Sequence, residues 1–246
     1  MRRVLLIGAT SAIAQEVGRL YAARQSHLYL VGRTAEKLEA VAADCRVRGA
    51  VIVGVSVWDA RWWEKATELI EQARQALGML EVVLIAHGNL PRQDELWHAP
   101  QQMVEQFHVN ATSVIALLSA LVPVMEQQRR GVIGVISSVA GERGRAQMAV
   151  YGAGKAAVTA FCAGVRGYLH PFGVRVITIK PGYVDTPMTA HLPKNFLFAS
   201  PQRVARRIYQ ALEKGYPDIL YVPWWWRFIM AGVRLIPEPL FKRIRI

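Results

Sequence analysis

Cysteine is nearly missing from this chain. Cys45 and Cys162 are the only two among 246 residues, too few for a disulfide scaffold and without the CxxC spacing of a redox or zinc site. They read as buried thiols of a reducing compartment. The six histidines show no HxxxH pairing, so no metal site is expected. A long apolar leader is missing too. Met1-Arg2-Arg3 runs into Val4-Leu5-Leu6-Ile7 and stops at Gly8, well short of a signal-peptide core. It reads as the first strand of a cytoplasmic protein. No internal repeat and no Ser/Gly/Pro-rich linker divides the chain, which points to one domain. Fifty-two per cent apolar and 20% charged residues exclude a disordered or low-complexity protein.

Acidic residues are also scarce. Eighteen Asp and Glu stand against 30 Lys and Arg, a formal charge of +12. Such an excess draws polyanions, either nucleic acid or an anionic membrane surface. No basic run exceeds a pair and no nucleic-acid motif is present, so nucleic acid is not expected as a partner. Charge alone otherwise describes a soluble basic surface.

What is present is alternation. Apolar runs at 4–7, 27–31, 51–55, 80–86, 132–136, 174–179 and 219–222 read as strands. Helical spacing covers 15–24, 35–48, 61–77, 101–129 (with Pro123 near its end), 150–169 and 201–214, the last opened by Ser200 as N-cap and Pro201. Strands without polar alternation, separated by helices, predict a single-domain α/β protein. The expected architecture is a Rossmann-type doubly wound parallel sheet of about seven strands, with helices on both faces. Ligands of such sheets bind beyond the carboxyl ends of the strands. Ala86-His87-Gly88, Ser137-Ser138 and Pro181-Gly182 all fall there.

Three stretches carry chemistry. Gly8-Ala9-Thr10-Ser11-Ala12-Ile13-Ala14 joins the first strand to the first helix, where small residues let backbone N–H groups approach a pyrophosphate. At the end of the second strand an acidic residue would bind a free ribose 2′-hydroxyl. Arg33 stands there instead, which favours NADP(H) over NAD(H). Tyr151-Gly152-Ala153-Gly154-Lys155 puts a phenol and an ammonium four residues apart, on one helix face, where the cation makes the phenol easier to deprotonate.

Together these residues resemble the short-chain dehydrogenase/reductase family over roughly residues 3–188. The landmarks are the Gly8 to Ala14 turn, Ala86-His87-Gly88, Asn110, Ser138 placed thirteen residues before Tyr151, and Pro181-Gly182-Tyr183-Val184-Asp185-Thr186. Departures are Ala12 and Ala14 for two glycines, His87 in an unusual position, and Ser56 where an aspartate commonly contacts adenine. The resemblance implies a catalytic set of Asn110, Ser138, Tyr151 and Lys155. It implies cofactor contacts from Gly8, Thr10, Ser11, Ala12, Ile13, Arg33, Ala86, His87, Gly88, Tyr151, Lys155, Pro181, Gly182, Val184 and Thr186. The implied activity is NADP(H)-dependent interconversion of a small-molecule carbonyl and a secondary alcohol. Tyr151 would act as general acid, Lys155 would lower its pKa and hold the nicotinamide ribose, and Ser138 would orient the carbonyl. Asn110 would break its helix to hold a relay water. A homodimer or homotetramer is also implied, with Ala111, Leu117, Leu118, Leu121 and Val122 offering apolar surface for it or packing in the core. A non-catalytic NADP(H)-binding sensor or membrane-tethered scaffold is the competing reading.

The chain divides at 222/223 into this domain, 1–222, and a tail, 223–246. The tail combines Trp224-Trp225-Trp226 with Arg227 and Arg234 and ends in Phe241-Lys242-Arg243-Ile244-Arg245-Ile246. Its apolar part is too short to span a bilayer. Two readings stand: a helix lying on the inner face of the membrane, making the protein peripheral, or a helix docked on protein. The first makes an apolar or lipid-linked carbonyl substrate attractive. The turn and the Ser200-Pro201 helix start are loosely similar to reductases of polyprenyl-phosphate-linked keto-sugars.

Overall fold

Strand apolarity on both faces is realised as one parallel sheet. The computed structural model describes residues 1–244; Arg245 and Ile246, the end of the expected tail, lie outside the described residues. The strands are β1 (Arg3–Ile7), β2 (His27–Gly32), β3 (Val51–Val57), β4 (Val82–Ile85), β5 (Gly131–Ile136), β6 (Val174–Pro181) and β7 (Ile219–Val222). They are all parallel, in the order β3-β2-β1-β4-β5-β6-β7. Order reverses between β1 and β4, which opens a crevice at their carboxyl ends.

Side chains alternate across the sheet with a period of two. Leu5, Ile7, Val83 and Ile85 enter one core, while Val4, Leu6, Val82 and Leu84 enter the other. The first core is covered by α3 (Ala66–Leu77), α6 (Ser113–Gln128) and α7 (Ala149–Leu169). The second is covered by α1 (Ala12–Ala22), α2 (Ala35–Val47) and α8 (Pro201–Lys214). A third, smaller cluster joins Val139 to Trp226 and Met230 of α9 (Trp226–Leu235).

Two helices differ from expectation. The helix expected over 101–129 is α5 (Pro100–Phe107), a π turn over His108–Thr112, and then α6, which runs through Pro123. The helix expected over 61–77 begins with a 3₁₀ turn, Trp63–Lys65, before α3. Short α4 (Gln93–Leu96) and α10 (Glu238–Phe241) were not foreseen. Ala111, Leu117, Leu118 and Leu121 are buried against the sheet, so four of the five residues offered for subunit contact are core. Val122 alone of the five lines an apolar groove of about 600 Å³ along α6 and α7, with Ala157, Phe161 and Tyr168.

Candidate active site

Helix α7 starts beside the end of β5, and its start is held from a distance. The buried side chain of Gln93, on α4, accepts the Val150 amide at 2.8 Å through Oε1. Tyr151 follows in the first turn and Lys155 in the next. The loop after β5 fixes the opposite wall. Ser137 Oγ donates to the Lys155 carbonyl at 2.9 Å and contacts Thr159 Oγ1 at 2.8 Å, so this serine is consumed in pinning the helix. Ser138 Oγ accepts the Ala140 amide at 3.1 Å, which leaves its own proton to donate. The two adjacent serines therefore have different tasks, and only Ser138 is available to a ligand.

The helix and the loop touch closely. A Cβ at Gly141 would lie 2.6 Å from the Lys155 carbonyl carbon, and one at Gly152 would lie 3.0 Å from the Ala140 oxygen. Small residues at these positions let Ser138 reach the level of Tyr151.

Burial governs the titration of the pair. It lowers the Lys155 ammonium to about 8 and raises the half-buried Tyr151 phenol above its ordinary value. The Ser138 hydroxyl and the Arg145 charge oppose the Tyr151 shift. The sequence assigned that task to Lys155. Its ammonium instead donates to the Ile136 carbonyl at 3.0 Å and lies 5.7 Å from the Tyr151 ring centroid. An ammonium has three N–H donors, and this one spends a single donor among the described residues.

Asn110 sits inside the π turn, fully buried. Its Oδ1 accepts the Asn89 amide at 3.1 Å, and its Nδ2 donates to Asn89 Oδ1 at 2.7 Å and to the Gln106 carbonyl at 3.1 Å. Gly88 separates it from the lysine: a Cβ there would lie 2.9 Å from Asn110 Oδ1 and 3.3 Å from Lys155 Nζ. Asn89 and Gln93 were missed by sequence reasoning. Asn89 lies in a loop and Gln93 opens the one-turn helix α4; neither has periodicity to read, and their roles arise only from tertiary contact.

At the sheet crevice Gly8 has φ +80, and a Cβ on it would lie 2.6 Å from the His87 amide nitrogen. Only glycine fits, on both counts. The Thr10 carbonyl accepts from Gln15. Ser11 caps α1 by accepting the Ala14 amide at 3.2 Å, and the amides of Ala12 and Ile13 have no acceptor within the helix. Ala14 is buried in the core, so its methyl does not intrude on the crevice. Arg33 is exposed at the end of β2 and makes no hydrogen bond or ion pair among the described residues.

His87 is corrected in part. Its backbone lines the crevice with Ala86, but its ring turns into the core. Nε2 lies 2.8 Å from Ser113 Oγ, and the ring stands edge-on to Trp58. Burial, reinforced by the Lys155 charge, pushes it down to about 3, so the ring is neutral. Ser56 is bonded to the Tyr29 hydroxyl at 2.6 Å.

On the far side, Pro181 ends β6 and Gly182 lies beneath Trp226, where a Cβ would meet the indole. Val184 bridges to Ala199, and Thr186 caps the 3₁₀ turn Pro187–Thr189. The structure thus brings Ser138, Tyr151 and Lys155 together, sets Asn110 behind Lys155, and arrays the loops of β1, β2, β4 and β6 around them. The cradle fits a dinucleotide: bare backbone at a helix N-terminus, a buried lysine with spare donors, and a free arginine at the ribose end. Among the described residues no group of three His, Cys, Asp or Glu side chains could hold a metal ion.

Comparison with known proteins gives the same frame. A family profile described as short chain dehydrogenase matches residues 2–196. An uncharacterized oxidoreductase of Mycobacterium tuberculosis is 31% identical over 241 residues, covering 98% of this chain and 96% of the relative. One from Streptomyces coelicolor is 31% identical over 244 residues, covering 99% and 96%. Among solved structures, a short chain dehydrogenase from Burkholderia cenocepacia in complex with NADP superposes with a TM-score of 0.80 at 21% identity, covering 98% of this chain and 95% of that one. An NAD⁺-bound xylitol dehydrogenase gives 0.78 at 19% identity, covering 89% and 96%.

Proposed function

The chain belongs to the short-chain dehydrogenase/reductase family of oxidoreductases, and from that premise we propose that it interconverts a carbonyl and a secondary alcohol using NADP(H), with Tyr151 as the general acid/base. The observation that carries this reading is the close approach of the Ser138–Gly141 loop to α7, which sets a strand-end hydroxyl beside a helix phenol and a buried ammonium. A nicotinamide cofactor, when bound, supplies or takes up the hydride.

The protein's own residues do the rest. In the reducing direction Ser138 Oγ–H donates to the carbonyl oxygen and stabilises negative charge as it builds there. Tyr151 Oη delivers the proton, and general acid catalysis of this kind contributes about 10²–10⁴-fold. Lys155 uses its two spare donors on the ribose hydroxyls, and Ser138 and Arg145 favour the phenolate. Asn110 and Asn89 hold the backbone behind Lys155, where a water can reach it. Arg33 binds the 2′-phosphate. Support for NADP(H) over NAD(H) comes from this free guanidinium, and the two solved relatives name one cofactor each. Val139, Tyr183, Leu197 and Trp226 form an apolar cluster directly after Ser138 in the fold, which supports an apolar substrate. The α6–α7 groove is the face offered for a homodimer or homotetramer.

Ala12 and Ala14 in place of two loop glycines favour the competing reading, a non-catalytic sensor. Ala14 removes half of that argument, because its methyl is in the core. Tyr151→Phe tests the proposal. It should lower kcat on a carbonyl panel by at least about 100-fold and leave NADPH binding unchanged by fluorescence titration. Turnover at the wild-type level would remove the mechanism.

A further inference from the structure

Helix α9 has two faces with opposite character. Its inner face is committed to protein: Trp226 and Met230 are buried against Val139, and Trp226 presses on Gly182. Its outer face is apolar and bare. Trp224, Phe228 and Leu235 are 63%, 65% and 82% exposed. Trp224 lies in the turn before the helix with its ring edge-on to Phe228, and Phe228 and Leu235, seven residues apart, share one helix stripe. Arg227 and Arg234 are exposed alongside, and Leu240, Lys242, Arg243 and Ile244 continue the surface. Phe196, 89% exposed, lies in the loop whose Phe198 stacks on Tyr183, itself packed on Trp226. Between residues 219 and 244 the only acid is Glu238, and it pairs with Arg143.

We propose that this outer face, Trp224, Phe228 and Leu235 with Arg227, Lys242 and Arg243, docks on an anionic lipid bilayer. Tryptophan at the headgroup level, aliphatic side chains beneath it and flanking cations are what an interfacial helix needs. Ten residues make a helix of about 15 Å, so it lies on the bilayer and does not cross it. A second copy of the chain fits poorly. A two-fold contact sets the same patch against itself, which would gather the Arg227, Lys242 and Arg243 cations of both copies in one interface with Glu238 as the only acid of the stretch. Docking would turn the substrate side of the cleft toward lipid. The corollary, entry of an apolar substrate from the bilayer, rests on the reductase reading; docking itself does not.

Co-sedimentation of the full chain with phosphatidylcholine vesicles, with and without phosphatidylglycerol, tests it in the absence of cofactor and carbonyl. Binding should be at least about tenfold stronger to the anionic vesicles and should fall with salt. The triple variant Trp224→Ser, Phe228→Ser, Leu235→Ser should stay in the supernatant with an unchanged melting temperature. Wild-type protein left in the supernatant overturns the proposal, as does a triple variant that still sediments. So does a wild-type oligomer that the triple variant dissolves, with no vesicle binding by either, since the face is then a self-contact. Should the triple variant not fold, quenching of wild-type tryptophan by brominated lipid replaces it, and no quenching in anionic vesicles overturns the idea. The Tyr151→Phe protein should bind vesicles as wild type does, so failure of the chemistry and failure of the docking are read separately.

Discussion

Gly141 is the tightest contact between the two walls of the candidate site, so Gly141→Ala is the most direct perturbation. The new methyl carbon would lie 2.6 Å from the Lys155 carbonyl carbon, 2.7 Å from the Ala156 nitrogen and 2.9 Å from the Lys155 oxygen. All three are main-chain atoms in the middle of a long helix, so no rotamer change relieves them. Carbon atoms settle at about 3.5–4.0 Å, and the loop must therefore withdraw by roughly 1 Å. Overpacking of this kind costs about 1–3 kcal/mol. For a chain of this size that is a fall of about 2–12 °C in melting temperature. The withdrawal also carries Ser138 away from Tyr151, and a misplacement of about 1 Å is worth about 100-fold in rate. Scanning fluorimetry and kcat/KM on one carbonyl substrate should both register the change. Gly144→Ala is the control, because nothing lies within 4 Å of its added methyl. A Gly141→Ala protein with wild-type melting temperature and kcat/KM would refute the packing argument and the convergence built on it.

Arg33→Asp should weaken NADPH relative to NADH by about 10–100-fold in kcat/KM, the loss of one charge-assisted hydrogen bond; an unchanged ratio would mean that Arg33 does not read the 2′-phosphate. His87 gives a pH signature. The folded state keeps the ring neutral down to about 3 while the unfolded ring takes a proton near 6.5, so stability is full above 6.5 and falls as pH drops through that window. His87→Asn should show a shallower acid decline in its urea midpoint, and a parallel decline would sink the assignment.

Strands and the polarity of the sheet were legible because a strand buried on both faces must be apolar at every position, as Val82 to Ile85 are. The same logic fails for helices. Leu117 and Leu121 have the spacing of an apolar stripe whether they meet the sheet or another subunit, and only the fold shows that they meet the sheet. Tyr151 and Lys155 could be paired from spacing alone, because one helix fixes their relation. Gln93 could not be linked to Val150, nor Asn89 to Asn110, since no local rule connects residues 57 and 21 positions apart. The Lys155 hydrogen bond to Ile136 was invisible for the same reason, and with it the limit on what Lys155 does to Tyr151.

The tail, expected as either docked or interfacial, is docked on the inside and bare on the outside, and two adjacent residues explain why it cannot be treated as an appendage. Glu142, four residues after Ser138, has its side chain only 4% exposed. It accepts from Lys180 Nζ at 2.9 Å and from the Tyr221 hydroxyl at 2.6 Å, with Arg234 at 3.6 Å. Burying such a pair gains little net stability, because desolvation offsets the attraction; what it gains is register among β6, β7 and α9. Arg143 completes the clasp. Its guanidinium donates to the Val233 carbonyl at 2.7 Å and the Ile236 carbonyl at 2.5 Å, and stacks 3.9 Å over Phe241. Those carbonyls are the negative end of α9, where a cation is favoured. The segment that carries Ser138 is therefore the segment that grips the tail, with Glu142 and Arg143 four and five residues after that serine.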